Sequence, residues 1–164
     1  MMKFIDRLTK LGSPVFFFRC LALKIAIAHV SAVLCICLFT ESYCNVSYFG
    51  EEPGLLIVFI TSVIGAPLLE TFLFQYLFFE IGEKFLKLKG ENLLWVVLLS
   101  AAVFGFQHSY TTYTILIAVI QGILLGFVYY YYKANNKYPF LHTVLIHASY
   151  NLYAFLLSEV FKIA

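Results

Sequence analysis

One carboxylate, Glu70, stands inside the stretch Gly65-Ala-Pro-Leu-Leu-Glu70-Thr-Phe-Leu-Phe-Gln75, which is otherwise almost pure hydrocarbon. An ionisable side chain near the middle of a bilayer costs roughly 2.5–3.5 kcal/mol on insertion scales, so it marks function and calls for a polar partner. His108, His147 and Asn151 are the candidates, each inside or at the end of a later apolar segment. His147 and Asn151 are four residues apart and share one helix face. If the helices bearing Glu70 and His108 are antiparallel neighbours, those two residues end at similar height. A shielded pocket holding a carboxylate, two imidazoles and an amide suits hydrolysis. A desolvated glutamate is a stronger base towards water, a histidine can share or relay the proton, and histidine and asparagine can donate to the oxyanion that develops on a peptide carbonyl.

Each of these residues also has a structural reading. Glu70 can be a hydrogen-bonding group, His108 an interfacial residue, and His147 with Asn151 a pair of interhelical hydrogen bonders. His29 and His142 lack matching partners and read as structural. Arg19 and Lys24, in the first apolar run, read as snorkelling or pairing side chains. Gln121 reads equally as interhelical glue or as a site-lining group.

The elements that must position these groups follow from composition. Of 164 residues, 62% are hydrophobic and 12% charged, and the mean hydropathy is +0.89. A soluble domain is roughly half apolar and a quarter charged, so this chain has too little polar surface to cover a water-soluble globule. It reads as an all-α, polytopic helical membrane protein occupying the bilayer as a single membrane domain over residues 1–164. The net charge of +2, without a basic stripe, points away from nucleic acid. Cys20, Cys35, Cys37 and Cys44 form no CxxC and read as small apolar filler. Asn45-Val-Ser47 matches a glycosylation sequon, a short pattern frequent by chance. The first apolar run has no small-residue cleavage site at its end and reads as a retained helix.

Five apolar segments can be counted, at about 15–39, 54–79, 93–106, 113–132 and 140–161, each near the length needed to cross roughly 30 Å of hydrocarbon. The third is short and needs flanking residues. Lys3, Arg7 and Lys10 precede the first segment. Glu41, Glu51 and Glu52 fill the first loop, Lys84, Lys87 and Lys89 the second, and Lys133 and Lys137 the fourth, while the third is uncharged. The positive-inside rule then predicts a cytoplasmic N-terminus, five crossings and an outside C-terminus. Trp95 and Tyr129–Tyr132 suit an interfacial aromatic belt. Ala101-x-x-x-Gly105 and Gly122-x-x-x-Gly126 are small-residue pairs one turn apart, which allow close helix packing in lipid. Gly65-Ala-Pro67 predicts a break or kink, with a new helix starting at Pro67 and Glu70 in its first turn, where the positive helix end favours a negative charge.

Taken together, Ala66-Pro-Leu-Leu-Glu70-Thr-Phe-Leu-Phe-Gln75, Phe104-x-x-x-His108 and His147-x-x-x-Asn151 resemble the three ordered motifs of the CPBP family, the CAAX-protease and bacteriocin-processing intramembrane enzymes, also called Abi. The family pattern is Glu-Glu-x-x-x-Arg, Phe-x-x-x-His and His-x-x-x-Asn or Asp. The resemblance covers residues 54–157, a CPBP-like catalytic core, and leaves the first segment outside. It implies a glutamate-dependent membrane endopeptidase acting on a peptide or membrane-protein substrate. Glu70 and His108 would activate water, and His147 and Asn151 would form the oxyanion site. Zinc could use a His, His, Glu set, but asparagine is a poor zinc ligand, and a metal-free glutamic mechanism is favoured. The small chain looks prokaryotic, which implies a bacterial inner membrane. Two positions depart from the pattern: Thr71 replaces the second glutamate and Gln75 the arginine. A paired replacement would leave a neutral arrangement and spare the primary base. It also leaves open a catalytically weak or inactive member acting as a membrane immunity or binding protein. A small proton-conducting transporter is a third reading, without the repeat or second broken helix common in such proteins.

Overall fold

The computed structural model describes residues 13–38 and 54–162. Lys3, Arg7, Lys10, Glu41, Cys44, the Asn45–Ser47 sequon, Glu51 and Glu52 lie outside the described residues. Among the described residues the fold is all helical, with five helices long and apolar enough to cross a membrane. They are α1 (Ser13–Leu38), α2 (Leu55–Lys84), α3 (Leu93–Gln107), α4 (Thr112–Ala134) and α5 (Pro139–Val160). A 3₁₀ turn at Gly90–Asn92 lengthens α3 to the 18 residues a crossing needs, as the shortness of that segment requires. Large apolar side chains face outwards along the spans, among them Leu56, Leu69, Leu99, Phe106 and Leu116. In water such a surface would aggregate; in hydrocarbon it is the lipid-facing wall.

The core is built round α4, which packs most extensively on α3 and also contacts α1 and α5. The small-residue pairs sit at the α3–α4 contact. A Cβ on Gly122 would stand 3.0 Å from the Ala101 Cα and from the Phe104 ring, and one on Gly126 would stand 2.8 Å from Val97. The expected use of these positions for close backbone approach is therefore met. The tyrosine cluster at the end of α4 differs from the expected interfacial belt. Tyr129, Tyr131 and Tyr132 are buried. Tyr131 stacks on Phe16 with ring centroids 3.5 Å apart, Tyr132 stacks on His142 at 4.0 Å, and Tyr129 leans on Phe79 at 4.7 Å. These three rings turn in towards the neighbouring helices, while Tyr130 stays only partly buried. Trp95 is 70% exposed, as a belt residue would be.

The helix does not break at Gly65-Ala-Pro67. Gly65 and Ala66 keep right-handed helical dihedrals, and α2 runs on as one helix. The strain is taken up by two π segments, Phe59–Gly65 and Thr71–Tyr76, flanking a five-residue α segment, Ala66–Glu70. Ala66 N–H donates to Thr61 O and Leu77 N–H to Phe72 O, both one residue longer than an α-helical bond. The widened turn before Pro67 removes the demand for its missing donor and makes room for the ring. Glu70 is thus not in the first turn of a new helix, and the helix-end charge argument does not apply to it. At about 1.5 Å per residue it lies roughly 21 Å from either end of α2, near the middle of that helix.

The cysteine reading holds for Cys20, which is free and buried. It fails for Cys35, which is disulfide-bonded. At the end of α2 nearest Lys84, ion pairs tie α2 to α4, with Lys133 reaching Glu83 at 3.0 Å and Glu80 at 3.9 Å, while within α2 Lys84 reaches Glu80 at 2.6 Å.

Candidate active site

Glu70, His108, His147 and Asn151 line one cavity of about 410 Å³. All five helices contribute to its wall. Glu70 comes from α2 beside the π segments, His108 from the residue that ends α3, and His147 and Asn151 from successive turns of α5. Gln121 comes from α4, and Lys24, Ala28 and Ser31 from one face of α1. Glu70 also borders a second cavity of about 440 Å³, walled mainly by apolar groups such as Ala66, Leu69, Leu73 and Phe74.

Local folding fixes each group. The last turn of α3 closes with His108 N–H on Gly105 O, and the His108 ring turns back so that Nδ1 lies 2.8 Å from Phe104 O. A carbonyl only accepts, so Nδ1 carries the hydrogen and the neutral ring keeps its lone pair on Nε2. After α3, Thr111 and Thr114 form a reciprocal cap at the start of α4, and the Thr114 hydroxyl donates to His108 O at 2.9 Å. The short uncharged connection is thereby a clamp on the His108 backbone.

The π segments serve α5 and α3. The Asn151 amide donates to Ser62 O at 2.8 Å, and Ser100 donates to Phe74 O. Both carbonyls belong to widened turns, which are common at functional sites. One Asn151 N–H remains uncommitted. His147 is buried, and its Nε2 lies 3.5 Å from Glu70 Oε2, while its Nδ1 has no protein partner. A separation of 3.5 Å is long for a committed N–H···O bond. Glu70 is 24% exposed at its side chain, open to the cavities rather than sealed in the core. His108 makes no direct contact with the carboxylate; space in the cavity separates them.

Residues 52–153 match the family described as type II CAAX prenyl endopeptidase Rce1-like. The chain belongs to that family. The match leaves α1 outside, as the resemblance to the CPBP motifs predicts, and no curated protein and no solved structure matches. In this Rce1-like core all four motif residues named from the sequence reach the same cavity. The nearest imidazole to Glu70 is His147, not the His108 of the sequence-based pairing. Among the described residues no three of His, Cys, Asp and Glu converge closely enough to hold a metal ion. Glu70, His108 and His147 thus line a common space without forming a ligand set.

Thr71 and Gln75 are fully buried, and the Thr71 hydroxyl and both polar atoms of the Gln75 amide have no hydrogen-bond partner among the described residues. Among the described residues the two side chains do not hydrogen-bond to each other. Gln121 is at once interhelical glue and cavity wall. It accepts from Lys24 Nζ at 2.9 Å and donates back to Lys24 O at 3.2 Å. His142 packs in the expected structural role, its Nδ1 on Tyr138 O at 3.1 Å. His29 finds a partner after all, with Nε2 3.1 Å from the Tyr153 hydroxyl. Arg19 is exposed on α1. Lys24 was the group least legible in sequence. It is 2% exposed, lies 4.4 Å from the Tyr150 ring centroid and lines the cavity, so of the two readings, snorkelling and pairing, it takes the second.

Proposed function

We propose that the chain is an intramembrane endopeptidase that hydrolyses a peptide bond in a peptide or membrane-protein substrate. The observation that carries this reading is the one cavity into which the carboxylate, both imidazoles and the asparagine amide are gathered. Glu70 acts as the base. It takes a proton from a water molecule as the water oxygen attacks the scissile carbonyl carbon, and the carbonyl electron pair moves onto oxygen. His108, with its lone pair on Nε2, accepts a hydrogen bond from the other O–H of the same water and, once the C–N bond has broken, can take that proton from the new carboxylic acid. His147 and the free N–H of Asn151 donate to the oxyanion. The slack contact between His147 and Glu70 leaves the imidazole hydrogen available for that purpose. Collapse of the tetrahedral species breaks the C–N bond, and the proton held by Glu70 passes to the leaving amine.

The family name supplies one substrate class to test, a peptide whose cysteine carries a prenyl group. Processing of a secreted peptide, or protection against one, is the other role the family resemblance supports. The protein would act in a bacterial inner membrane with its N-terminus cytoplasmic and its site towards the face opposite Lys84–Lys89. Purified protein in proteoliposomes should cleave a member of a panel containing both substrate kinds. Glu70→Gln and His108→Ala should each lower the cleavage rate by orders of magnitude, to a measurable residue, while the protein stays folded. Biological function surviving both changes would instead support a membrane immunity or binding protein, the reading favoured by the unpartnered Thr71 and Gln75.

A further inference from the structure

Lys24 is a basic side chain within a membrane-spanning helix, almost wholly buried, on a helix outside the family match. An ammonium has three donors. Its protein contacts are one neutral acceptor, Gln121 Oε1, and the face of the Tyr150 ring. No carboxylate of the described residues lies within ion-pair distance of it. A charge so poorly matched is expensive in hydrocarbon, and buried charges persist where they are paired or serve a site. The Gln121 amide grips Lys24 at both Nζ and its backbone carbonyl, so the side chain is aimed rather than loose. It borders the same cavity as Glu70, so an ammonium and a carboxylate would face each other across that space. The family motif has an arginine where this chain has Gln75, so α2 itself supplies no cation near the carboxylate.

We propose that Lys24 is a positioning residue for the proposed reaction: its ammonium, delivered from α1 and held by Gln121, is the counter-charge across the cavity that keeps Glu70 ionised and able to act as base. The functional part rests on the endopeptidase reading, whereas the charge relation does not. Lys24 acts on Glu70 and not on the substrate. The other titratable groups facing the carboxylate across the cavity are His147 and Tyr150 from α5, His108 from α3, Tyr113 from α4 and Tyr110 from the connection between α3 and α4. Lys24 is the one lysine or arginine among the described residues of that lining.

The test is Lys24→Met, with Lys24→Arg as the conservative variant, each reconstituted in nanodiscs. The first readout is the acid limb of the pH profile of cleavage. Removing a nearby cation destabilises the carboxylate, so the limb should move to higher pH by about one unit or more, and arginine should restore it. The second readout needs no turnover. The infrared carboxyl band of Glu70, identified by its loss in Glu70→Gln, is titrated in wild type and in both Lys24 variants. Its midpoint should rise by a similar amount in Lys24→Met and return in Lys24→Arg. A midpoint that stays within about 0.3 units of wild type in a folded Lys24→Met protein overturns the proposal. Absence of any cleavage by wild type with a shifted infrared midpoint would refute the endopeptidase reading while upholding the Lys24–Glu70 relation.

Discussion

Gly105 sits one turn before His108, where α3 touches α4. A Cβ there would overlap the Val119 side chain and stand 3.0 Å from Ile115 O and 3.1 Å from Val119 N. Val119 can rotate, but the two backbone atoms cannot move without shifting α4. Overpacking of this kind costs about 1–3 kcal/mol, and alanine returns up to about 1 kcal/mol over glycine in a helix interior. Gly105→Ala should therefore destabilise the bundle by a net amount of about 1–2 kcal/mol. Gly65 provides the comparison within α2, because its added Cβ would meet only Ile60 O, at 3.4 Å. Gly65→Ala should be neutral or stabilising by up to about 1 kcal/mol. Trp95, the one tryptophan in the chain, lies on α3 and reports its unfolding by fluorescence. On the usual scaling of about 2–4 °C per kcal/mol, the Gly105→Ala midpoint should fall by about 2–8 °C while that of Gly65→Ala does not. His108 should be displaced with the end of α3, so cleavage should fall further than stability alone explains. Equal midpoints for the two variants would refute the claim that α3 and α4 meet backbone to backbone beside the site.

Asn151→Ala should cost both stability and turnover. It strips the Ser62 carbonyl of its donor, at about 1–3 kcal/mol for a polar group left unsatisfied, and removes an oxyanion donor, for a loss of roughly 10²–10³-fold in cleavage rate. The two are separated by comparing the thermal midpoint with kcat. Lys133→Ala removes the ion pairs to Glu80 and Glu83, whose half-exposed geometry limits the loss to about 1 kcal/mol or less. Its cleavage rate should match wild type, and a large loss would mean that the α2–α4 end also shapes the cavity.

Much of this arrangement is written locally. Span count follows from runs of apolar residues, and the α3–α4 contact follows from glycines and alanines spaced by four. The convergence of Glu70, His108, His147 and Asn151 is legible because each is a costly polar residue in an apolar segment, and such groups must be gathered together. Three features are not local. The passage of α2 through Pro67 depends on widened turns whose carbonyls Asn151 and Ser100 satisfy from other helices, and the sequence round the proline contains neither residue. The burial of Tyr129, Tyr131 and Tyr132 depends on how many neighbours surround α4. Lys24 looks like any snorkelling lysine until α1 is set against Gln121, 97 positions later. The signal available beforehand was that Lys24 and Gln121 both lie deep in apolar runs, one a donor and the other able to accept.

The claim on which everything rests is that the acid and the imidazole of α3 act on one and the same water. The rates of Glu70→Gln, His108→Ala and the double variant, measured in proteoliposomes, test it directly. Groups that work as a unit are strongly non-additive, so the double variant should be no slower than the slower single variant. Losses that multiply, or Glu70→Gln protein that still cleaves at the wild-type rate, would contradict the mechanism.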